Sequence, residues 1–95
     1  MRETIPTISI LEINKNFSEA LTAVKQGRLI WRSGWNGKTQ YVEMQVPDAN
    51  SKMTSPYLFI TSYRFDPMIG IGRTPWVPSQ GDVLGEDWVI GYVGA

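Results

Sequence analysis

The sequence has no cysteine and no histidine in its 95 residues, no net charge, and no hydrophobic run long enough to span a membrane. Each absence removes a class of function. Without cysteine there is no disulfide framework, no thiol nucleophile and no thiolate metal site, and without histidine the commonest general base and metal ligand is missing. Most hydrolytic active sites cannot be assembled from what remains. Nine Lys plus Arg balance nine Asp plus Glu, so the chain lacks the broad positive field of a protein that grips a phosphate backbone, and duplex nucleic acid is not an expected partner. The opening segment MRETIPTISILEI lacks the basic start and long apolar stretch of a signal peptide, and no stretch approaches the ~20 apolar residues of a transmembrane helix. The expectation is a cytosolic protein with no membrane partner. No Gly-rich phosphate loop, serine triad or metal-binding cluster is present, and Glu86 and Asp87, as neighbours, point apart and do not flank one bond. No cofactor, metal site or catalytic residue is expected.

What is present is one domain over residues 1–95, with 1–15 as an N-terminal arm or extension and 16–95 as the main body. A chain of this size buries roughly 60–70% of its unfolded surface, so its core is thin. Ile5, Ile8, Ile10 and Ile13 come closer to alternation than to a helical period, which reads as a short strand or extended arm. Asn16 then opens a clear helix over about 17–26: Glu19 completes a capping box, Phe17, Ala20, Leu21 and Val24 form one apolar stripe, and Gly27 stops it. Arg28 to Arg32 reads as a strand leading into a turn at Asn36-Gly37, a pair that tolerates the positive φ of a type I′ hairpin. Gln40 to Val46 alternates, placing Val42, Met44 and Val46 on one face and Tyr41, Glu43 and Gln45 on the other, and Tyr57 to Tyr63 is a second β run. Pro47 to Ser55 reads as a polar loop, and Arg64 to Thr74, with Met68, Ile69 and Ile71, as a long hairpin loop with a hydrophobic tip. Ser79 and Asp82 cap a short helix that Gly85 ends, and Trp88 to Val93 is the final strand. The order is α+β: a small antiparallel sheet with one N-terminal amphipathic helix and one short helix near the C-terminus.

The tryptophans are the candidates for chemistry. Trp35 lies on the turn beside Asn36-Gly37, and Trp76 lies between two prolines just ahead of a helix. Exposed indoles beside unpaired backbone N–H groups make a stacking platform and an anion cradle for a nucleotide-like ligand; the plainer reading is that both rings plug the open ends of a small sheet. Trp31 and Trp88, inside strand runs, are expected in the core. Ser79, Gln80 and Asp82 occupy the first turn of the short helix, where Ser79 and Asp82 either cap it or, in Asp82's case, accept hydrogen bonds from a ribose hydroxyl or a base amine. Arg32 is either a phosphate contact or a solvated arginine at a strand end.

The segments Arg32-Ser33-Gly34-Trp35-Asn36-Gly37-Lys38, behind a helix of FSEALTAVKQGR type, and Pro75-Trp76-Val77-Pro78-Ser79-Gln80 through Asp82 to Glu86-Asp87-Trp88 together resemble a family of small phage and prophage proteins, the second family of Thoeris anti-defence sponges. The likeness runs from Asn16 to about Ile90. The chain departs from the family pattern in the residues ahead of the helix, where typical members begin, and in its longer Tyr63 to Thr74 segment. The resemblance implies a non-catalytic protein of the host bacterial cytoplasm. It would sequester signalling nucleotides, cyclised ADP-ribose isomers above all and in some relatives cyclic dinucleotides, as a homotetramer with pockets between protomers. On matching positions it implies a pocket drawn from Trp35, Asn36, Gly37, Trp76, Ser79, Gln80 and Asp82, with Arg32 as a further candidate. A thin core points the same way, because a ligand of this size held at about −12 kcal/mol must be largely enclosed, which copies of the chain achieve together. A nucleotide-cleaving enzyme and a phage protein-interaction module are the competing readings.

Overall fold

Local sequence dictates where the first helix starts and stops. The Asn16 side chain accepts from the Glu19 N–H at 2.9 Å while the Glu19 carboxylate accepts from the Asn16 N–H at 3.1 Å, satisfying two donors that an uncapped helix leaves unpaired. At the other end the chain leaves through Gln26 and then Gly27 at φ +91°, a left-handed conformation that favours glycine. The computed structural model describes residues 7–35, 39–63 and 71–94. In them the elements run β1 (Ile8–Lys15), α1 (Phe17–Lys25), β2 (Leu29–Arg32), β3 (Gln40–Gln45), β4 (Tyr57–Tyr63), β5 (Ile71–Pro75), α2 (Gln80–Leu84) and β6 (Trp88–Val93).

The strands form one six-stranded sheet in the order β1-β6-β2-β3-β4-β5, antiparallel at every pairing. From β2 to β5 the chain is a meander. The other half is a crossover: α1 joins β1 to β2, and β6 lies between these two strands, hydrogen-bonded to both. The class is the expected α+β, with two helices on a small antiparallel sheet.

Alternation along the strands divides the apolar residues between two faces. One face carries Ile30, Val42, Trp88 and Ile90, packed under Ala20, Ala23 and Val24 of α1. The opposite face gathers Leu29, Tyr41 and Tyr63, with Trp31, Ile8 and Ile71 against them. The second face is possible because of Gly91, where an added Cβ would lie 2.8 Å from Cη2 of Trp31 and 2.6 Å from the Ser9 carbonyl oxygen, so the Trp31 indole lies directly over the backbone of β6.

Of the two forms expected for the segment before α1, it takes the strand: β1 is an edge strand paired to β6 from Ile8↔Val93 onward, with register shifts on either side of Glu12. Two expectations change. The supposed hairpin loop holds a strand within its described part, because Ile71 to Pro75 pair with Tyr63 to Phe59; tertiary pairing overrides a local sequence that contains glycine and proline, and an edge strand tolerates Pro75. Val46 lies past the end of β3 and is exposed. Met68, Ile69 and Gly70 of the proposed hydrophobic tip, like the turn at Asn36-Gly37, lie outside the described residues. No helix among the described residues is long and apolar enough to cross a membrane.

Candidate functional site

β2 delivers Arg32 to the end of the sheet beside the N-terminus of α2, and β6 is preceded there by Asp87. The Arg32 guanidinium bridges two carboxylates: Nε donates to Asp87 Oδ1 at 2.8 Å and Nη1 to Asp82 Oδ1 at 3.1 Å. Asp87 is itself held by the turn after β2, accepting from the Gly34 N–H through Oδ2 at 3.1 Å and from the Ser33 N–H through its carbonyl at 3.0 Å. The other oxygen of Asp82 accepts from the Ser79 N–H at 2.9 Å, and Ser79 Oγ accepts from the Asp82 N–H at 3.1 Å, the reciprocal pair of a capping box.

Two glycines make room for this knot. A Cβ at Gly85 would lie 3.0 Å from Cζ, Nε and Nη2 of Arg32, and one at Gly34 would lie 2.9 Å from Asp87 Oδ2. The guanidinium therefore lies against bare backbone.

Above the polar groups stand three indoles. Trp88 is fully buried, and its Nε1 donates to the Asp82 carbonyl at 2.9 Å. Trp35 and Trp76 meet it edge-on, with ring centroids 5.5 and 6.1 Å away, and meet each other at 6.3 Å, the arrangement that aromatic quadrupoles favour.

The electrostatics follow from these contacts. Burial pushes the Asp82 carboxyl up, but bonds from Ser79, Arg32 and Trp35 more than reverse that and hold it below the usual range. Hydrogen bonding to Arg32, aided by the Gly34 N–H, lowers Asp87 against a smaller opposing effect of burial. Asp87 in turn raises Arg32. Both carboxylates are settled anions near neutral pH, unsuited to exchanging protons with a substrate.

The knot opens onto a cleft of about 340 Å³. Arg32 and Trp35 belong to both. The remaining walls are Ile8 and Ile10 from β1, Trp31 and Ser33 around the end of β2, and Thr39, Gln40 and Tyr41 at the start of β3. A hollow of about 430 Å³ under Met53, Pro56, Tyr57 and Pro75 contains none of the candidate residues. Among the described residues no three acidic side chains converge to hold a metal ion.

Of the sequence candidates, the structure thus gathers Arg32, Trp35, Trp76, Ser79 and Asp82 around Trp88. Gln80 stands exposed at the first position of α2, and Asn36 and Gly37 lie outside the described residues. Trp35 and Trp76 are half-buried ring partners of Trp88, closer to the sheet-plugging reading than to open stacking platforms. Trp31, expected in the core, is half-buried and lines the cleft. Arg32 is neither solvated nor a lone anion contact, because two aspartates claim it. Sequence reasoning gave no site role to Asp87 or Gly34 and read Gly85 only as the end of the short helix; the signal was their place inside the two segments that carry the family resemblance.

Comparison with known proteins supplies the remaining finding. A family model described as the Thoeris anti-defense 2-like domain matches residues 15–91. The protein named Thoeris anti-defense 2 from Bacillus phage SP01 is 38% identical over 90 residues, an alignment covering 84% of this chain and 98% of that relative.

Proposed function

This chain belongs to the Thoeris anti-defense 2-like family, and on that premise we propose that it serves a phage in anti-defence, as a sponge that binds and sequesters cyclic nucleotide signals without cleaving them. The ligands are cyclic ADP-ribose isomers and, in the wider range, cyclic dinucleotides, withheld from the effector they would activate in the host cell. The observation that carries this reading is the pairing of a ligand-sized cleft with an inert polar knot. Arg32 and Trp35 face the cleft, yet the two carboxylates behind them, Asp82 and Asp87, are locked on Arg32 as anions. Such a site offers a guanidinium, an indole and polar edges to an anionic heteroaromatic ligand while holding no carboxylate poised to take or give a proton.

A cleft of about 340 Å³ lies at the small end of the range for ligand pockets, roughly 300–1,000 Å³, and encloses a dinucleotide-sized ligand only in part. Val77 ahead of α2, at 84% exposure, and Leu84 at its last position, at 74%, are apolar groups that a second copy would cover. Both observations support a homo-oligomer, with a tetramer as the expected form, in which neighbouring protomers complete the pocket.

The test is to incubate the protein with a cyclic ADP-ribose isomer, denature it by heat and recover the nucleotide. Intact ligand in stoichiometric amount supports the sponge. A linearised or hydrolysed product would falsify it in favour of an enzyme. A thermal-shift panel of cyclic ADP-ribose isomers and cyclic dinucleotides ranks the ligands, and no shift with any of them points to an interaction module instead.

A further inference from the structure

The cleft has a wall that lies almost wholly outside the segment matched by the family model. That match begins at residue 15, whereas β1 begins at Ile8 and joins the sheet through β6. Without β1, the outer edge of β6 would border an open face. With it, Ile8 and Ile10 join Trp31 and Tyr41 among the residues that line the cleft, and Ile8 packs against the same cluster as Trp31. Ile10 lies opposite Gly91 in the register, and Gly91 is the position where Trp31 lies against the backbone, so isoleucine and indole approach the same spot on β6 from its two sides. Ile10 is 61% exposed, an apolar side chain in water that gains from being covered. Thr39 adds a hydroxyl to the lining, and Gln40, whose Oε1 accepts from Ser62 Oγ at 3.1 Å, adds the N–H donors of its amide.

This inference rests on the nucleotide-binding reading above. We propose that β1 is a specificity element added to the sponge domain: Ile8 and Ile10 clamp one flat heteroaromatic ring of the ligand against Trp31, while Thr39 and Gln40 meet the ring's polar edge. A flat ring with polar margins, as in a purine, matches a lining that is part apolar and part polar. β1 then tunes which base this chain accepts.

Titration calorimetry on the full chain tests this, using the cyclic ADP-ribose isomer or cyclic dinucleotide that gives the largest thermal shift. Ile10→Asp is expected to weaken binding about tenfold or more, and Ile10→Ala a few-fold, about what loss of one apolar contact produces. Ile13→Asp is the control, since Ile13 is comparably exposed at 57% on the same strand and is not a wall of the cleft; its affinity should stay within about twofold of wild type. Each variant is checked by thermal melting and light scattering, and Ile10→Ala carries the test if Ile10→Asp fails to fold. Wild-type affinity in both Ile10 variants overturns the clamp and leaves the sponge standing. Equal losses in Ile10→Asp and Ile13→Asp, with a fall in mass, overturn it in favour of β1 as a contact between copies. Failure of the wild-type chain to bind any nucleotide of the panel overturns the sponge reading and the clamp together.

Discussion

Arg32 Nε and Asp87 Oδ1 meet at 2.8 Å across 55 residues of sequence, and this bond fastens the turn after β2 to the start of β6. Because the same guanidinium also holds Asp82, one side chain ties together β2, α2 and β6.

Lysine at position 32 keeps the charge and loses the fork. A single ammonium cannot repeat two directed bonds to carboxylates lying in different directions. Arg32→Lys is expected to cost about 1–3 kcal/mol by urea denaturation, the range for a charge-assisted, partly buried pair left imperfectly matched. Asp87→Asn should cost less, since that carboxylate is nearly a third exposed. A double-mutant cycle over positions 32 and 87 should show coupling, and additive losses would mean the pair acts independently.

Two neighbouring glycines should respond with opposite sign. Gly81 lies inside α2, where an added Cβ finds only ordinary contacts at 3.7 Å, so Gly81→Ala is expected to stabilise by about 0.5 kcal/mol. Gly85 has an unremarkable φ of −70°, so its only obstacle is the guanidinium 3.0 Å away. Gly85→Ala should destabilise by about 1 kcal/mol or more through displacement of Arg32. Melting curves of the two variants on opposite sides of wild type would bear this out.

Acid should loosen the knot. Asp82 and Asp87 titrate below their ordinary range in the folded chain, so the unfolded chain takes up protons first as pH falls. Their contribution to stability is complete above the usual aspartate value, about 3.9, and fades as pH drops through the lower folded values. Glu43 has the opposite sign, because burial raises its carboxyl against the partial relief of Arg73; it favours the folded state at acid pH and loses that effect as pH rises through its folded value. Asp82→Asn should therefore flatten the acid limb of the stability profile, and Glu43→Gln should steepen it.

Trp76 separates packing from binding. Its ring closes the cluster on Trp35 and Trp88, so Trp76→Ala is expected to cost about 2 kcal/mol of stability, less than a fully buried tryptophan. Trp76→Phe keeps an edge-on ring and should retain most of that stability. If Trp76 also touches the nucleotide, the phenylalanine variant will melt near wild type yet bind more weakly in calorimetry. Equal affinity would assign the residue to the core alone.

The contrast between what the sequence disclosed and what it hid has a common cause, the distance along the chain over which each signal acts. Asn16 with Glu19, and Ser79 with Asp82, are three residues apart, so both helices and their caps were legible. Tyr57 to Tyr63 and Trp88 to Val93 carry their strand character in their own β-branched and aromatic side chains. β5 does not: Ile71-Gly72-Arg73-Thr74-Pro75 becomes a strand only because β4 lies alongside it. The site behaves the same way. Its residues were recognisable as candidates, while the partnership of Arg32 with Asp82 and Asp87 was invisible, since no local period links positions fifty or more residues apart. Asp82 shows the cost of that blindness: it was legible as a cap and as an acceptor for ligand, and the structure commits its two oxygens to Arg32 and Ser79.

The seating of β6 between β1 and β2 sets an order of events in folding. β1, α1 and β2 are synthesised first, yet β1 has no strand to pair with until β6 arrives, and contacts such as Ser9 with Gly94 close over 85 residues. Pairing at such separation is slow, and the edges waiting for it are open to other chains meanwhile. The meander from β2 to β5, whose partners are consecutive, can form beforehand as a scaffold. Trp88 at the head of β6 completes the aromatic cluster, so the site depends on the same long-range pairing that holds β1.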